Sequence, residues 1–169
     1  IDTETLAGVE GASAGVVAPS GHVLAWSRDA SALPTVDAPV GSYVVAGAPG
    51  YEFGFSRVER DGVLPPVELR RASRFASIRR VGDSDKSLTL RVTRVLTDGL
   101  NDLIPVTLDG PVVVSQEEFT LATGQLRITV PEAGRTRVFA DAECGIAVPK
   151  LIVPDPRGTY EVHVESLRE

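Results

Sequence analysis

"SLTLRVTRV", residues 87–95, decides the class of fold. It sets Leu88, Leu90 and Val92 on one face of an extended chain and Thr89, Arg91 and Thr93 on the other. A period of two marks a half-buried strand, because successive side chains leave the backbone on opposite sides. The pattern returns in "GQLRITV" (124–130), with Leu126, Ile128 and Val130 on one face, and again in "RTRVFA" (135–140) and "TYEVHV" (159–164). Asp-Gly pairs punctuate the segments at Asp61-Gly62, Asp98-Gly99 and Asp109-Gly110. Glycine accepts positive φ at little cost, so each pair predicts a turn or a hairpin. Short strands at close spacing with such turns predict an all-β sandwich or barrel. One stretch, "VELRRASRFASIRR" (67–80), fits two periods: Leu69, Ala72, Phe75 and Ala76 suit a helical face, while Val67, Leu69, Phe75 and Val81 all fall on odd positions. The strand reading is preferred, leaving at most one short helix.

Working outward, two blocks repeat. "VVAPSGHVLAW" (16–26) aligns with "FTLATGQLRIT" (119–129), and "ALPTVDAPVGSYVV" (32–45) aligns with "AVPKLIVPDPRGTYEV" (147–162) after a two-residue gap. Each reads as a strand, a Ser/Thr-Gly turn and a return, followed by a proline-glycine turn that launches a strand at tyrosine. Gly41 and Gly158 are expected in conformations that a Cβ resists. Pro39 and Pro156 are expected to preset the turn's φ. Tyr43 and Tyr160 are expected to lay their rings over the sheet end with the hydroxyls at the rim. Ser20 precedes Tyr43 by 23 residues and Thr123 precedes Tyr160 by 37, so the second block should carry an extra hairpin at "AGRTRVFADAECG" (133–145). The expected architecture is a β-sandwich of two related halves. Residues 1–62 carry the first copy, 63–110 the central strands and arginine-rich segment, and 111–169 the second copy; a single domain can hold all three.

Composition narrows the function. The 169 residues are enough to bury a core without metal or disulfide. No apolar run approaches a membrane span. No charged-then-apolar leader opens the chain, so no signal peptide is expected. The absence of methionine points to a start removed by trimming or processing. Cys144 is the only cysteine, which fits a reducing cytoplasm. A net charge of −6 and a pI near 5.0 disfavour nucleic acid as a partner and favour a basic protein. Arginine far outnumbers lysine (only Lys86 and Lys150) in a chain rich in Ala, Val and Gly, as expected of a GC-rich bacterial genome.

Catalytic signals are thin. His22 follows a predicted turn, and His163 lies between Val162 and Val164; both are expected to face solvent. They offer no metal-ligand spacing, so neither metal nor cofactor is expected. A pair of Cys144 with either histidine has no supporting motif, and a lone cysteine is more often a small buried hydrophobe. A glycosidase carboxylate pair lacks the flanking aromatics that sugar-cleaving sites usually have. The acidic stretches "GDSDKS" (82–87) and "TDGLNDL" (97–103) lack the full calcium-loop pattern and read as solvated turns. The most unusual feature is Arg70, Arg71, Arg74, Arg79 and Arg80 within eleven residues. Guanidinium forks grip oxyanions, which makes this the candidate partner-binding surface. The plainer reading pairs them with Glu59, Asp61, Glu68, Asp83 and Asp85.

Two resemblances bear on function. "FTLATGQLRI" and "PRGTYEVHV", with their earlier counterparts, are similar to a pattern in bacterial competence-J-type nuclease inhibitors and toxin-immunity proteins. That likeness covers the two blocks and implies an acidic inhibitor of a basic toxic enzyme. "VDAPVGSYVVAGAPGYEF" (36–53) resembles carboxypeptidase-regulatory-like modules, which, like Ig-like ones, imply a structural subunit that holds neighbouring domains or adds strands to them. Neither implies a cofactor; in both the partner is another protein.

Overall fold

The computed structural model describes residues 1–32, 37–82, 88–96, 108–142, 150–152 and 158–163. Among them the fold is all-β, with eleven strands and a single 3₁₀ turn at Ala30–Ala32.

The first lobe holds one antiparallel sheet of β1 (Ser13–Val17), β2 (Val23–Ser27), β3 (Tyr43–Gly47) and β4 (Gly54–Arg57), in the order β2-β1-β3-β4. Its central strands, "SAGVV" and "YVVAG", are buried at every position. Ala14, Val16, Val44 and Ala46 pack one way, onto Ala38, Val58, Val67 and Leu69. Val17, Tyr43 and Val45 pack the other way, with Phe53 and with Leu96, Leu108 and Val114. Burial on both faces is why these strands read as apolar runs and not as alternation.

Two turns shape this sheet. Pro19-Ser20-Gly21 joins β1 to β2; Ala18 N–H donates to the His22 carbonyl at 2.8 Å, and Gly21 takes a φ of 92°. That is the three-residue hairpin loop whose last position needs left-handed backbone. Ahead of β3, Ser42 N–H donates to the Pro39 carbonyl at 3.0 Å, and Gly41 has a φ of 90°. This is a type II turn with glycine at its third position. Pro39 therefore stands first in the turn. It supplies the accepting carbonyl, and Val40 occupies the position where a proline would preset φ.

The second lobe has two sheets. One is β10-β9-β6-β7, built from β6 (Leu88–Leu96), β7 (Val112–Leu121), β9 (Arg135–Ala142) and β10 (Lys150–Ile152). The other is β11-β5-β8, from β5 (Phe75–Val81), β8 (Gln125–Thr129) and β11 (Thr159–His163). Ala76, Ile78, Leu88, Leu90, Val92, Ile128, Val130 and Val138 form the core they share, a sandwich-like arrangement. Each fully buried leucine here contributes about 1.5–3 kcal/mol of transfer free energy. β5 is a strand, as preferred, but the positions it buries are the even ones, Ala76 and Ile78, while Phe75 and Val81 of the odd-position pattern are only half-buried. Its pairing with β11 is parallel, and every other strand pairing is antiparallel.

In both matched blocks the glycine of the Ser/Thr-Gly turn takes positive φ, 92° at Gly21 and 84° at Gly124, but the strands find different partners. In the first, the Ser20-Gly21 turn closes a hairpin within one sheet. In the second, Thr123-Gly124 carries the chain from β7 in one sheet to β8 in the other. β3 pairs with β1, whereas β11 pairs with β5. The stretch expected as an extra hairpin supplies one strand, β9. Pro156 lies outside the described residues, and so does Cys144; Gly158 and Tyr160 lie within them, with Tyr160 packed on the shared core. Asp61-Gly62 forms a turn that joins no two paired strands, Asp109-Gly110 is a bend before β7, and Asp98-Gly99 is outside the described residues. Of the expected central segment 63–110, Val67 and Leu69 pack with the first lobe, while β5 and β6 belong to the second. Lettered in chain order, the second lobe reads C-B-E-F and D-A-G. The immunoglobulin constant fold reads A-B-E-D and C-F-G, so the connectivity is not Ig-like.

Candidate functional site

The arginine-rich segment runs from the edge of the first lobe, across the junction at Ala72–Arg74, into β5. It does not form one patch. Arg71 ion-pairs with Asp2 at 3.4 Å and Glu4 at 3.7 Å, and its guanidinium lies 5.6 Å from the centre of the Tyr51 ring. Arg79 points outward from β5 and pairs with Glu161 on β11. Arg80, one position on, turns inward and donates to the Leu121 carbonyl at 3.3 Å and to that of Ala122. It braces the corner where the chain leaves β7 for β8. Arg70 and Arg74 sit near Glu52. Arg71, Arg79 and Arg80 are each tied within the chain. For Arg71 and Arg79, however, the partners are Asp2, Glu4 and Glu161, distant in sequence, and not the neighbouring acids; Asp83 and Asp85 lie outside the described residues.

Asp2 is the best-anchored acid. It is 3% exposed and accepts from the Tyr51 hydroxyl at 2.7 Å and from the amides of Glu4 at 2.7 Å and Thr5 at 3.0 Å. The Tyr51 hydroxyl, then the two amides and Arg71, hold its carboxyl down to about 2. The same hydrogen bond pushes the Tyr51 hydroxyl up.

Arg94 was legible only as part of a strand, yet it is the most deeply buried charge described, at 2% exposed. It pairs with Glu117 on β7 and donates to the Thr129 hydroxyl at 2.7 Å and carbonyl at 3.1 Å on β8. One side chain thus ties the two sheets of the second lobe. A signal for it exists: the apolar face Leu88, Leu90, Val92 continues in step to Arg94.

The seam between the lobes has an apolar middle and polar margins. Gly47 and Gly134 let it close. A Cβ on Gly47 would stand 2.5 Å from Val114 and 2.6 Å from Phe53, and one on Gly134 would stand 2.6 Å from the Val95 carbonyl oxygen. Ser13 donates to the Val114 carbonyl. At one margin the Glu52 carboxylate accepts from the Glu132 amide at 2.7 Å. At the other, His22 Nδ1 and Asp109 lie 3.0 Å apart, both exposed, and Asp109 N–H donates to the Gly21 carbonyl at 3.2 Å. The side chain of His163 is outside the described residues.

An open cleft of about 580 Å³ indents the first lobe between Val9, Ala30, Val44 and Leu64. Mostly apolar side chains line it, with Ser31 the one polar side chain, and no acidic or basic side chain is among them. Among the described residues, no three histidines, cysteines or acids gather as a metal site would need. No described helix is long and apolar enough to cross a membrane. Compared with family models, curated proteins and solved structures, the chain matches none.

Proposed function

We propose that this chain is a non-enzymatic β module that works by contact with another protein, holding or presenting neighbouring domains as the carboxypeptidase-regulatory-like likeness implies. One observation carries the reading. Charged side chains that the fold buries or half-buries act as ties: Asp2 fastens the first lobe's edge, Arg80 the β7–β8 corner, Arg94 the two sheets, and Glu52 the seam. The cleft has the chemistry of a packing surface: its one hydroxyl, Ser31, donates to Asp29, and no acidic, histidine or cysteine side chain lines it. A partner protein and a reducing cytoplasm fit the acidic surface and the single cysteine. The two related halves remain part of this proposal, on the strength of the shared turn-to-strand spelling.

A second reading rests on the net charge of −6: an inhibitor or immunity-type protein for a basic toxic enzyme. Light scattering after size exclusion, at low and high salt and with a basic nuclease as probe, separates the two. A structural module stays monomeric and ignores the probe at physiological salt. An inhibitor forms a tight one-to-one complex whose association slows as salt rises. Turnover of ester, glycoside or phosphoester substrates by the purified chain would overturn both.

A further inference from the structure

We propose that Glu52 and the loop around Glu132 form a pH-sensitive latch that sets how firmly the two lobes hold together. The chain passes from one lobe to the other at Ala72–Arg74, and the latch lies beside that crossing. Glu52 N–H donates to the Arg70 carbonyl at 2.8 Å, and Val130 N–H donates to the Arg74 carbonyl at 2.9 Å. Between these two anchors the Glu52 carboxylate reaches across and accepts the Glu132 N–H at 2.7 Å. The next residue, Phe53, is buried where Gly134 makes room for its ring. A hinge and a cross-lobe carboxylate therefore share one spot.

The charges facing Glu52 come from three directions: the Glu132 carboxylate from the opposite loop, Arg74 from the crossing, and Arg70 from the first lobe's edge. Partial burial, helped by the like charge of Glu132, pushes the Glu52 carboxyl above its ordinary value of 4.5, against the pull of the Glu132 amide and the two guanidiniums. The closed seam thus favours the neutral acid more than an opened seam does. Closure is firmest when Glu52 is protonated. It weakens as pH rises from the ordinary carboxylate value through the raised one, then levels off.

The test is hydrogen exchange at the amides of Phe53, Glu132 and Gly134 in the full chain, from pH 4 to 7, corrected for intrinsic rates. In the unaltered protein, protection should fall severalfold across that range, because the closed seam favours the neutral Glu52 carboxyl and the opened seam does not. Glu52→Gln keeps the acceptor and loses the titration, so its profile should be flat. His22→Gln should keep the wild-type slope, showing that the opposite margin is not responsible. A flat wild-type profile, or a Glu52→Gln profile as steep as wild type, overturns the latch.

Discussion

The two lobes bury their strands in different ways. In the second lobe, β6 alternates: Leu88, Leu90 and Val92 face a core shared with β5 and β8, and Thr89 and Arg91 face outward. In the first, β1 and β3 are covered on both sides, and their small residues allow the approach. Gly15 lies under the Trp26 ring, Gly47 against Val114, and Gly54 against the Glu68 carbonyl. One lobe makes a core between its own two sheets. The other is a single sheet that needs the 58–69 strap on one face and its neighbour on the other. Shape tolerance should therefore be lowest in the first lobe and charge tolerance lowest in the second.

The sharpest challenge to that contrast is Glu117→Ala. Removing the half-buried Glu117 leaves the buried Arg94 charge with its bonds to Thr129, so the variant should lose about 1.5–3 kcal/mol in urea unfolding. A loss below about 1 kcal/mol would mean that water already reaches Arg94. Next comes Gly54→Ala. Its Cβ would overlap the Glu68 carbonyl oxygen and stand 2.9 Å from Leu69. Such overpacking costs about 1–3 kcal/mol, read as a lower thermal midpoint. Gly110→Ala, with open space around it, is the matched control and should be neutral.

Asp2→Asn sharpens the comparison through pH. The folded carboxyl sits near 2, below its ordinary 3.8, so its contribution is complete above that ordinary value and fades as pH falls toward 2. The variant should be less stable than wild type at pH 7, and the gap should close by pH 2. An equal gap at both ends would assign Asp2 a purely steric role. The smallest effect belongs to Arg79→Ala, whose exposed pair with Glu161 should be worth under about 1 kcal/mol, less still in high salt.

Much of the fold was readable from spacing. Period two located β6, β8 and β9, and glycine after Pro39-Val40 located the turn into β3. β5 reads as a strand with the wrong face inward, since Ala76 and Ile78 are buried and Phe75 is not. What spacing cannot carry is partnership. Ser20-Gly21 and Thr123-Gly124 are spelled alike, yet one turns back within a sheet and the other crosses between sheets. The choice depends on strands far away in the chain. The partners within the arginine segment were hidden for the same reason: Asp2, which pairs with Arg71, and Glu161, which pairs with Arg79, lie at opposite ends of the sequence. Arg94 was within reach, because the alternation that buries Val92 also buries the residue two steps on. Glu52 carries no local signal, since its meaning comes only from the loop at Glu132.

The parallel pairing of β5 with β11 has a consequence for the birth of the protein. β5 opens the second lobe, and the strand that covers one of its edges arrives 82 residues later. At about 5–20 residues per second, roughly 4–16 seconds of synthesis separate the two. The first lobe's sheet is complete by Arg57 and its strap by Leu69, so the strap-covered face can pack while β5 still waits and the other face stays open until Leu96, Leu108 and Val114 are made. During that interval the ribosome holds a chain in which both edges of β5 are bare until β8 is made, and one thereafter. The long-range closure that ends the interval is the step most exposed to mispairing with another nascent chain.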